Sequence, residues 1–355
     1  MKNILTFLLI FLSILTAGCK KEHVNDTPTD NNPFTVINLL PLSDDIPYSS
    51  MGSGKILFER KYYQGGSAFY LIDIDRKSSS GFKMKSLITQ PSISPDGTKI
   101  ACSLRNSADS KPNWNIYIMN TDGSDCFAAF QSDKPAYYPT WNNDGSKIIF
   151  YTSGFDGRLF MQSPEKNSSD TVELTKFHYA DNPQWTITPS GGFTITPEGN
   201  LVGVSKSENP SGIIGIKPYN GESGVSVLVS PSTDLAFVSP YFQVESPVIS
   251  PDGSRIAFFS IYSDPAESWI SLVLYIMNPD GTNVTSVGGI GGYRPTIVDG
   301  RYVSLCWSPD GAKILFAFPD GATTSHLYLV NLDGSGSVQV TNQLDSFDFN
   351  VSWSR

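Results

Sequence analysis

Beyond residue 50 the chain alternates short apolar runs with clusters of Gly, Pro, Asn, Asp and Ser. Polar and apolar positions alternate with a period near two, which predicts half-buried strands. Few stretches carry the 3.6-residue apolar period of a helix. The turn clusters repeat one phrase. Its fullest form is Pro251-Asp252-Gly253-Ser254-Arg255-Ile256-Ala257-Phe258-Phe259. It returns as Pro95-Asp96-Gly97-Thr98-Lys99-Ile100-Ala101, as Asn143-Asp144-Gly145-Ser146-Lys147-Ile148-Ile149-Phe150 and as Pro309-Asp310-Gly311-Ala312-Lys313-Ile314-Leu315-Phe316. Worn copies stand at Gly52-Ser53-Gly54-Lys55-Ile56-Leu57-Phe58 and Pro197-Glu198-Gly199-Asn200-Leu201-Val202.

Each copy predicts four strands. A first strand runs up to Trp or Ile, as in Pro139-Thr140-Trp141, and the Asp-Gly turn follows. Gly supplies the positive φ of a tight hairpin, and Asp bonds its own backbone. A second strand begins at Lys/Arg-Ile. A third is aromatic and aliphatic, as in Ile116-Tyr117-Ile118-Met119 and Leu274-Tyr275-Ile276-Met277. A short fourth strand closes the unit, as in Val338-Gln339-Val340-Thr341. Four strands repeating about every 50 residues describe the blades of a propeller. The last segment, Asn350-Val351-Ser352-Trp353-Ser354-Arg355, is a first strand without a second. The first copy has a second strand without a clear first. The expected fold is therefore an all-β, six-bladed β-propeller of four-stranded antiparallel blades, closed when the C-terminal strand joins the first blade.

Trp307-Ser308-Pro309-Asp310-Gly311, with Trp/Ile-x-x-Asp-Gly-x-Lys/Arg-Ile elsewhere, resembles the WD40-like (PD40) repeat of TolB-like propellers. The resemblance covers nearly all of residues 51–355. It implies the fold but no single activity, because that scaffold hosts periplasmic binding proteins, propeller domains of serine peptidases and pectin-fragment lyases. The fourth copy, about residues 177–235, departs most, through an insertion at Thr186–Thr196.

The chain opens differently. Met1-Lys2-Asn3 is a basic start, Ile4 to Leu15 is apolar apart from Thr6 and Ser13, and Thr16-Ala17-Gly18-Cys19 follows. That is the pattern of a secretory signal peptide. Small residues before a cysteine resemble a bacterial lipobox, with Thr16 where Leu is usual. The resemblance implies cleavage before Cys19 and lipidation of its sulfur and amino group; an ordinary secreted protein with an incidental cysteine is the alternative. Lys20 after the cysteine, by resemblance to lipoprotein sorting signals, implies the outer membrane, facing periplasm or exterior. The expected organisation is a signal peptide over 1–18, the lipidated cysteine and a flexible tether over 19–50, and the propeller over 51–355. Pro28, Pro33, Pro41 and Pro47 oppose regular structure in the tether, although Phe34 to Leu42 is apolar enough to lie partly on the folded body.

Composition narrows the partners. Acidic residues number 34 against 25 basic, a net charge of −9. No clustered basic face is visible, so nucleic acid is not an expected partner. A monomer anchored to the membrane at Cys19, with an envelope protein or glycan as partner, is expected.

Candidate chemistry is sparse. His23, His178 and His326 are the only histidines, too few and too scattered for a metal site or a triad. No Gly-x-Ser-x-Gly elbow occurs. Gly52-Ser53-Gly54-Lys55 lacks the first Gly of a phosphate loop, which has Ser49 in its place. The Asp/Asn-rich turns lack the six or so oxygens and distal Glu of a calcium loop, so turn chemistry explains them. No cofactor and no metal are expected. Cys102 and Cys126 lie about two strand spacings apart in one blade, beyond disulfide reach, so buried free thiols are expected, Cys306 included.

The repeat register supplies the one positional clue. Three residues before the Trp/Ile of each first strand stand Gln90, Tyr138, Asn182, Ser246, Ser304 and Asn350, all polar. First strands are innermost, so this ring should face the channel mouth. One position earlier stand Thr89, Tyr137, Asp181, Glu245, Val303 and Phe349. Two readings follow. The ring is either the solvated wall of a pore, or a binding mouth formed by Gln90, Tyr137, Tyr138, Asp181, Asn182, Glu245, Ser246, Ser304 and Asn350. A non-enzymatic binding scaffold is favoured. The alternative is an extracellular polysaccharide lyase or hydrolase with Asp181 and Glu245 as acid and base and Tyr137, Tyr138 and Tyr293 stacking on sugars.

Overall fold

A computed structural model describes residues 34–63, 65–106, 113–153, 158–166, 168–176, 192–196, 200–206, 211–218, 226–229, 242–262, 269–293 and 303–355. The expected leader over 1–18, Cys19 and His23 lie outside the described residues, as do His178, Asp181 and Asn182.

From Pro33 on, the chain is an all-β propeller of small antiparallel sheets. Five sheets are four-stranded, not the six that the repeats predict. The other sheet has five strands, ordered Val36–Leu39, Ser78–Met84, Gly65–Asp73, Lys55–Tyr62 and Ser346–Ser354. Lys55–Tyr62 thus pairs with the C-terminal strand, with Ile56 opposite Trp353. The extra strand, Val36–Leu39, comes from the segment expected to be tether. Beyond this strand the chain runs along the body and buries Asp44, Ile46 and Met51. Ile46 and Met51 pack with Leu315, Leu327 and Phe347.

The hairpins follow from the repeated phrase. At Ser250–Arg255 the Gly253 N–H donates to the Ser250 carbonyl (2.9 Å), and the Ser250 N–H donates to the Arg255 carbonyl (2.8 Å). Gly253 has φ 76°, where a side chain would be strained. The Asp252 carboxylate accepts from the Ser250 hydroxyl (2.6 Å) and from the Ser254 N–H (3.0 Å). The same wiring recurs around Asp96 and Asp310.

Second strands are buried on both faces, and period two sends alternate residues to different neighbours. Ile56 and Phe58 point into the core shared with Leu315, Leu327 and Phe347, whereas Leu57 points into the core shared with Ile93, Ile100 and Cys102. Ile314 and Phe316 likewise face Ala257 and Phe259. Every two sheets consecutive along the chain share one apolar cluster, and a further cluster joins the sheet of Ser304–Trp307 to the five-stranded sheet. Each fully buried Phe, Leu or Ile side chain stabilises this arrangement by about 1.5–3 kcal/mol. Among the described residues no helix is long and apolar enough to cross a membrane.

Candidate binding channel

The first strand of each sheet is an edge strand, and these edges adjoin in order from Phe193–Ile195 through Phe242–Ile249, Ser304–Trp307, Ser346–Ser354 and Leu87–Ile93 to Ala136–Trp141. Between them is a cavity of about 340 Å³. Its walls come from Leu87–Ile93, Ala136–Trp141, Phe193–Ile195, Phe242–Ile249, Ser304–Trp307 and Ser346–Ser354, and from the Asp-Gly turns at one end.

Four of these strands carry a β-bulge at the polar ring. Register slips between Thr89 and Ser92, between Tyr137 and Thr140, between Glu245 and Val248 and between Phe349 and Ser352. The residue opening each bulge is left-handed: Gln90, Tyr138 and Ser246 have φ 55°, and Asn350 has φ 51°. Non-glycine residues there cost roughly 1–2 kcal/mol each. Proline follows in three cases (Pro91, Pro139 and Pro247) and suits a position that makes no ladder bond. Bulges re-aim side chains, and here they do so at the channel wall.

The sequence-predicted residues divide accordingly. Gln90, Tyr138, Ser246, Ser304 and Asn350 line the cavity. Tyr137 and Glu245 stand on the other side of the bulge and do not line the cavity, although the Tyr137 ring meets that of Tyr138, with ring centres 6.3 Å apart. Tyr137 instead packs against Trp114, with ring centres 6.1 Å apart, and Glu245 is buried opposite Phe259. Tyr293 ends Thr285–Tyr293, the strand at the edge of its sheet opposite the channel strand. Asp181 and Asn182 lie outside the described residues, so the acid–base pair has no described geometry.

Sequence reasoning missed the carboxylate that organises this wall. Glu59, in the second strand Lys55–Tyr62, is only 2 % exposed. Its Oε2 accepts the Gln90 N–H (2.9 Å), the Thr89 hydroxyl (2.8 Å) and the Asn350 side-chain amide (3.0 Å). It therefore ties the bulge of its own sheet to that of the next. Gln90 repeats the device: its Oε1 accepts the Ser103 hydroxyl (3.0 Å) and the Tyr138 N–H (2.9 Å). On the other side the Val351 N–H donates to the Ser304 hydroxyl (3.3 Å). Burial pushes the Glu59 pKa up, and the donors from Gln90, Ser67, Thr89 and Asn350 only partly offset it. A signal for Glu59 was present. The same register holds Ser103, Tyr151, Val204, Phe259 and Ala317 in the other second strands, so only this copy carries a carboxyl group there.

Below the ring the wall turns apolar and aromatic. Indole N–H groups of Trp141 and Trp307 donate to Ser92 and Val248 carbonyls on the preceding first strands (3.0 and 2.9 Å). At the rim the Arg355 N–H donates to the Pro95 carbonyl (3.1 Å). Among the described residues no group of three His, Cys, Asp or Glu side chains is placed to hold a metal ion. The turn carboxylates of Asp96, Asp252 and Asp310 are engaged in the bonds described above. Cys102, Cys126 and Cys306 form no disulfide. Burial raises all three thiol pKa values, that of Cys126 to about 12. This array can hold a ligand through neutral donors, acceptors and ring faces.

The described sheets build a β-propeller, a fold that TolB and other solved proteins share. TolB from Acinetobacter baumannii superposes with a TM-score of 0.58 at 16 % identity, over 85 % of this chain and 66 % of that one. Hydrazine synthase from Kuenenia stuttgartiensis superposes with a TM-score of 0.59 at 14 % identity, over 86 % of this chain and 47 % of that one. In sequence, a Tricorn protease homolog from Saccharolobus solfataricus is 22 % identical over 94 % of this chain. The chain spans 31 % of the length of that curated relative. No family model matches the chain.

Proposed function

We propose that this chain is a lipid-anchored, non-enzymatic scaffold of the cell envelope that binds a protein or glycan partner in its central channel. The observation that carries the reading is the wall itself. Four strained bulges present Gln90, Tyr138, Ser246 and Asn350 to a cavity large enough for a few sugar rings or side chains, and hydrogen bonds to Glu59 and Gln90 hold three of them. Strain at a channel wall needs a compensating use, and ligand contact supplies one. The likeness to TolB supports a binding propeller through the fold alone.

The six sheets form a closed six-bladed ring, sealed where Ser346–Ser354 pairs with Lys55–Tyr62. Residues 1–18 are a signal peptide, Cys19 carries the lipid, and a tether leads to the body. The monomeric propeller sits at the outer membrane, and nucleic acid is not its partner, since the chain carries 34 acidic residues against 25 basic ones.

The test is cross-linking of the anchored protein in native membranes, beside a folded Gln90→Ala, Tyr138→Ala variant. A defined envelope protein or glycan captured by the wild type and lost by the variant is the expected result. Equal capture by both contradicts channel binding.

One observation favours a second reading. The chain aligns with a protein named as a protease homolog, over 31 % of that protein's length. A propeller serving a hydrolase, or one acting on an extracellular polymer through Asp181 and Glu245, would turn over peptides or glycans. Purified full-length chain should leave both unchanged if the first reading holds.

A further inference from the structure

Apart from the residues that line the cavity, the junction of the sheet of Ser304–Trp307 with the C-terminal strand contains a buried charged cluster. His326 is 5 % exposed. Its Nδ1 lies 2.5 Å from Asp320 Oδ2, and its Nε2 lies 3.0 Å from the Gln343 carbonyl oxygen. A carbonyl only accepts, so Nε2 carries a hydrogen. Asp320 is surrounded by donors: the Tyr328 hydroxyl at Oδ2 (2.5 Å) and the Thr324 hydroxyl at Oδ1 (2.9 Å). That carboxylate is the acceptor, so Nδ1 carries a hydrogen as well. An imidazole with both nitrogens protonated is a cation.

The ring sits where the seam is stitched. The Ser325 N–H donates to the Ser346 carbonyl (3.1 Å), and the Asp348 N–H donates to the Ser325 carbonyl (2.9 Å). The other charged groups around the seam are fixed. Asp348 is paired with Arg60 of the second strand (2.6 Å), and Arg60 also meets Asp44 (3.3 Å) from the segment before it. Thr341 donates to Asp348 (2.6 Å), and Asp345 accepts from Thr323 (3.3 Å).

We propose that His326 is a proton-operated latch on this seam: the imidazolium ties residues 341–346 to loop 319–325, and its deprotonation releases the Gln343 carbonyl. Neutral imidazole keeps one N–H, and the Asp320 carboxylate retains it as the stronger acceptor. Nε2 then faces the Gln343 carbonyl lone pair to lone pair. Burial disfavours the cation, but Asp320, the Gln343 carbonyl and Asp348 together raise the His326 pKa above its ordinary 6.5. A raised value means that the latch contributes fully below pH 6.5 and fades as pH climbs through the folded-state pKa. Asp320 is held below its ordinary 3.8, so its side of the latch is lost only in acid.

The test is an NMR titration of the imidazoles of the full chain, with His326 assigned by its absence in H326Q, followed by amide exchange at Ser325 and Asp348 against pH. His326 should titrate above 6.5 with both nitrogens protonated below that value. The opening constants at both amides should rise by up to about tenfold per pH unit across the titration and stay flat in H326Q. Should H326Q fail to fold, D320N supplies the comparison, with the His326 pKa brought down. A wild-type His326 titrating at or below 6.5, or an unchanged pH slope in the variant, overturns the latch.

Discussion

Glu59 shows how one side chain sets a wall. Truncating Glu59→Ala strands the Gln90 N–H, the Thr89 hydroxyl and the Asn350 amide inside the protein. The expected loss is on the order of 3 kcal/mol in chemical unfolding, because buried donors lose their acceptor. Glu59→Gln keeps an acceptor and should cost less. Gly54 is the second sensitive residue. A Cβ there would stand 2.0 Å from the Ser354 carbonyl oxygen, and φ is 102° at Gly52 and 92° at Gly54. Gly54→Ala should therefore push the C-terminal strand away and lower stability by about 1–3 kcal/mol, the range of overpacking; an unchanged melting temperature would refute that close approach. At this scale the sequence was only partly legible. Gln90, Tyr138, Ser246, Ser304 and Asn350 could be read from register alone. Tyr137 and Glu245 could not, because one extra residue at a bulge sends the neighbouring position elsewhere.

The Asp-Gly hairpins are the elements most plainly written in the chain. Local bonds make them, so the pattern Ser-Pro-Asp-Gly-Ser predicts them without tertiary knowledge. They also carry a pH signature. Hydrogen bonds from Ser250 and Ser254 hold the Asp252 pKa down to about 2. Asp96, Asp122, Asp144 and Asp310 are lowered as well. A lowered folded-state value stabilises above the ordinary 3.8 and is lost as pH falls through the folded value. Stability should therefore drop between about pH 4 and pH 2, and D252N should flatten part of that slope in acid titrations followed by circular dichroism. Val36–Leu39 was less legible. Four residues in a proline-rich stretch show no decisive alternation, and only pairing with Ser78–Met84 makes them a strand.

For the whole molecule, repetition made the propeller legible, since six copies of one phrase predict stacked sheets before any contact is known. What repetition hid was the seam. Arg60, Asp44, Asp348, Asp320 and His326 each fall outside the repeated phrase; Asp320 and His326 meet within one sheet, whereas Arg60 meets Asp348 only because the C-terminal strand pairs with Lys55–Tyr62. Arg60 lies over the rings of Phe58 and Tyr70 (5.5 and 5.2 Å), and its two carboxylates outweigh the cost of burial, so it stays charged. The channel exists only if the edges are drawn together, so ring closure is the claim on which the binding reading depends. Removing residues 349–355 takes away the paired strand and the Asn350 donor but leaves Asp348 for Arg60, which isolates the strand from the charge cluster. The decisive measurement is the thermal unfolding of that truncated chain beside the full one. Closure predicts a much lower melting temperature and a broadened transition; a transition at the same temperature would contradict it.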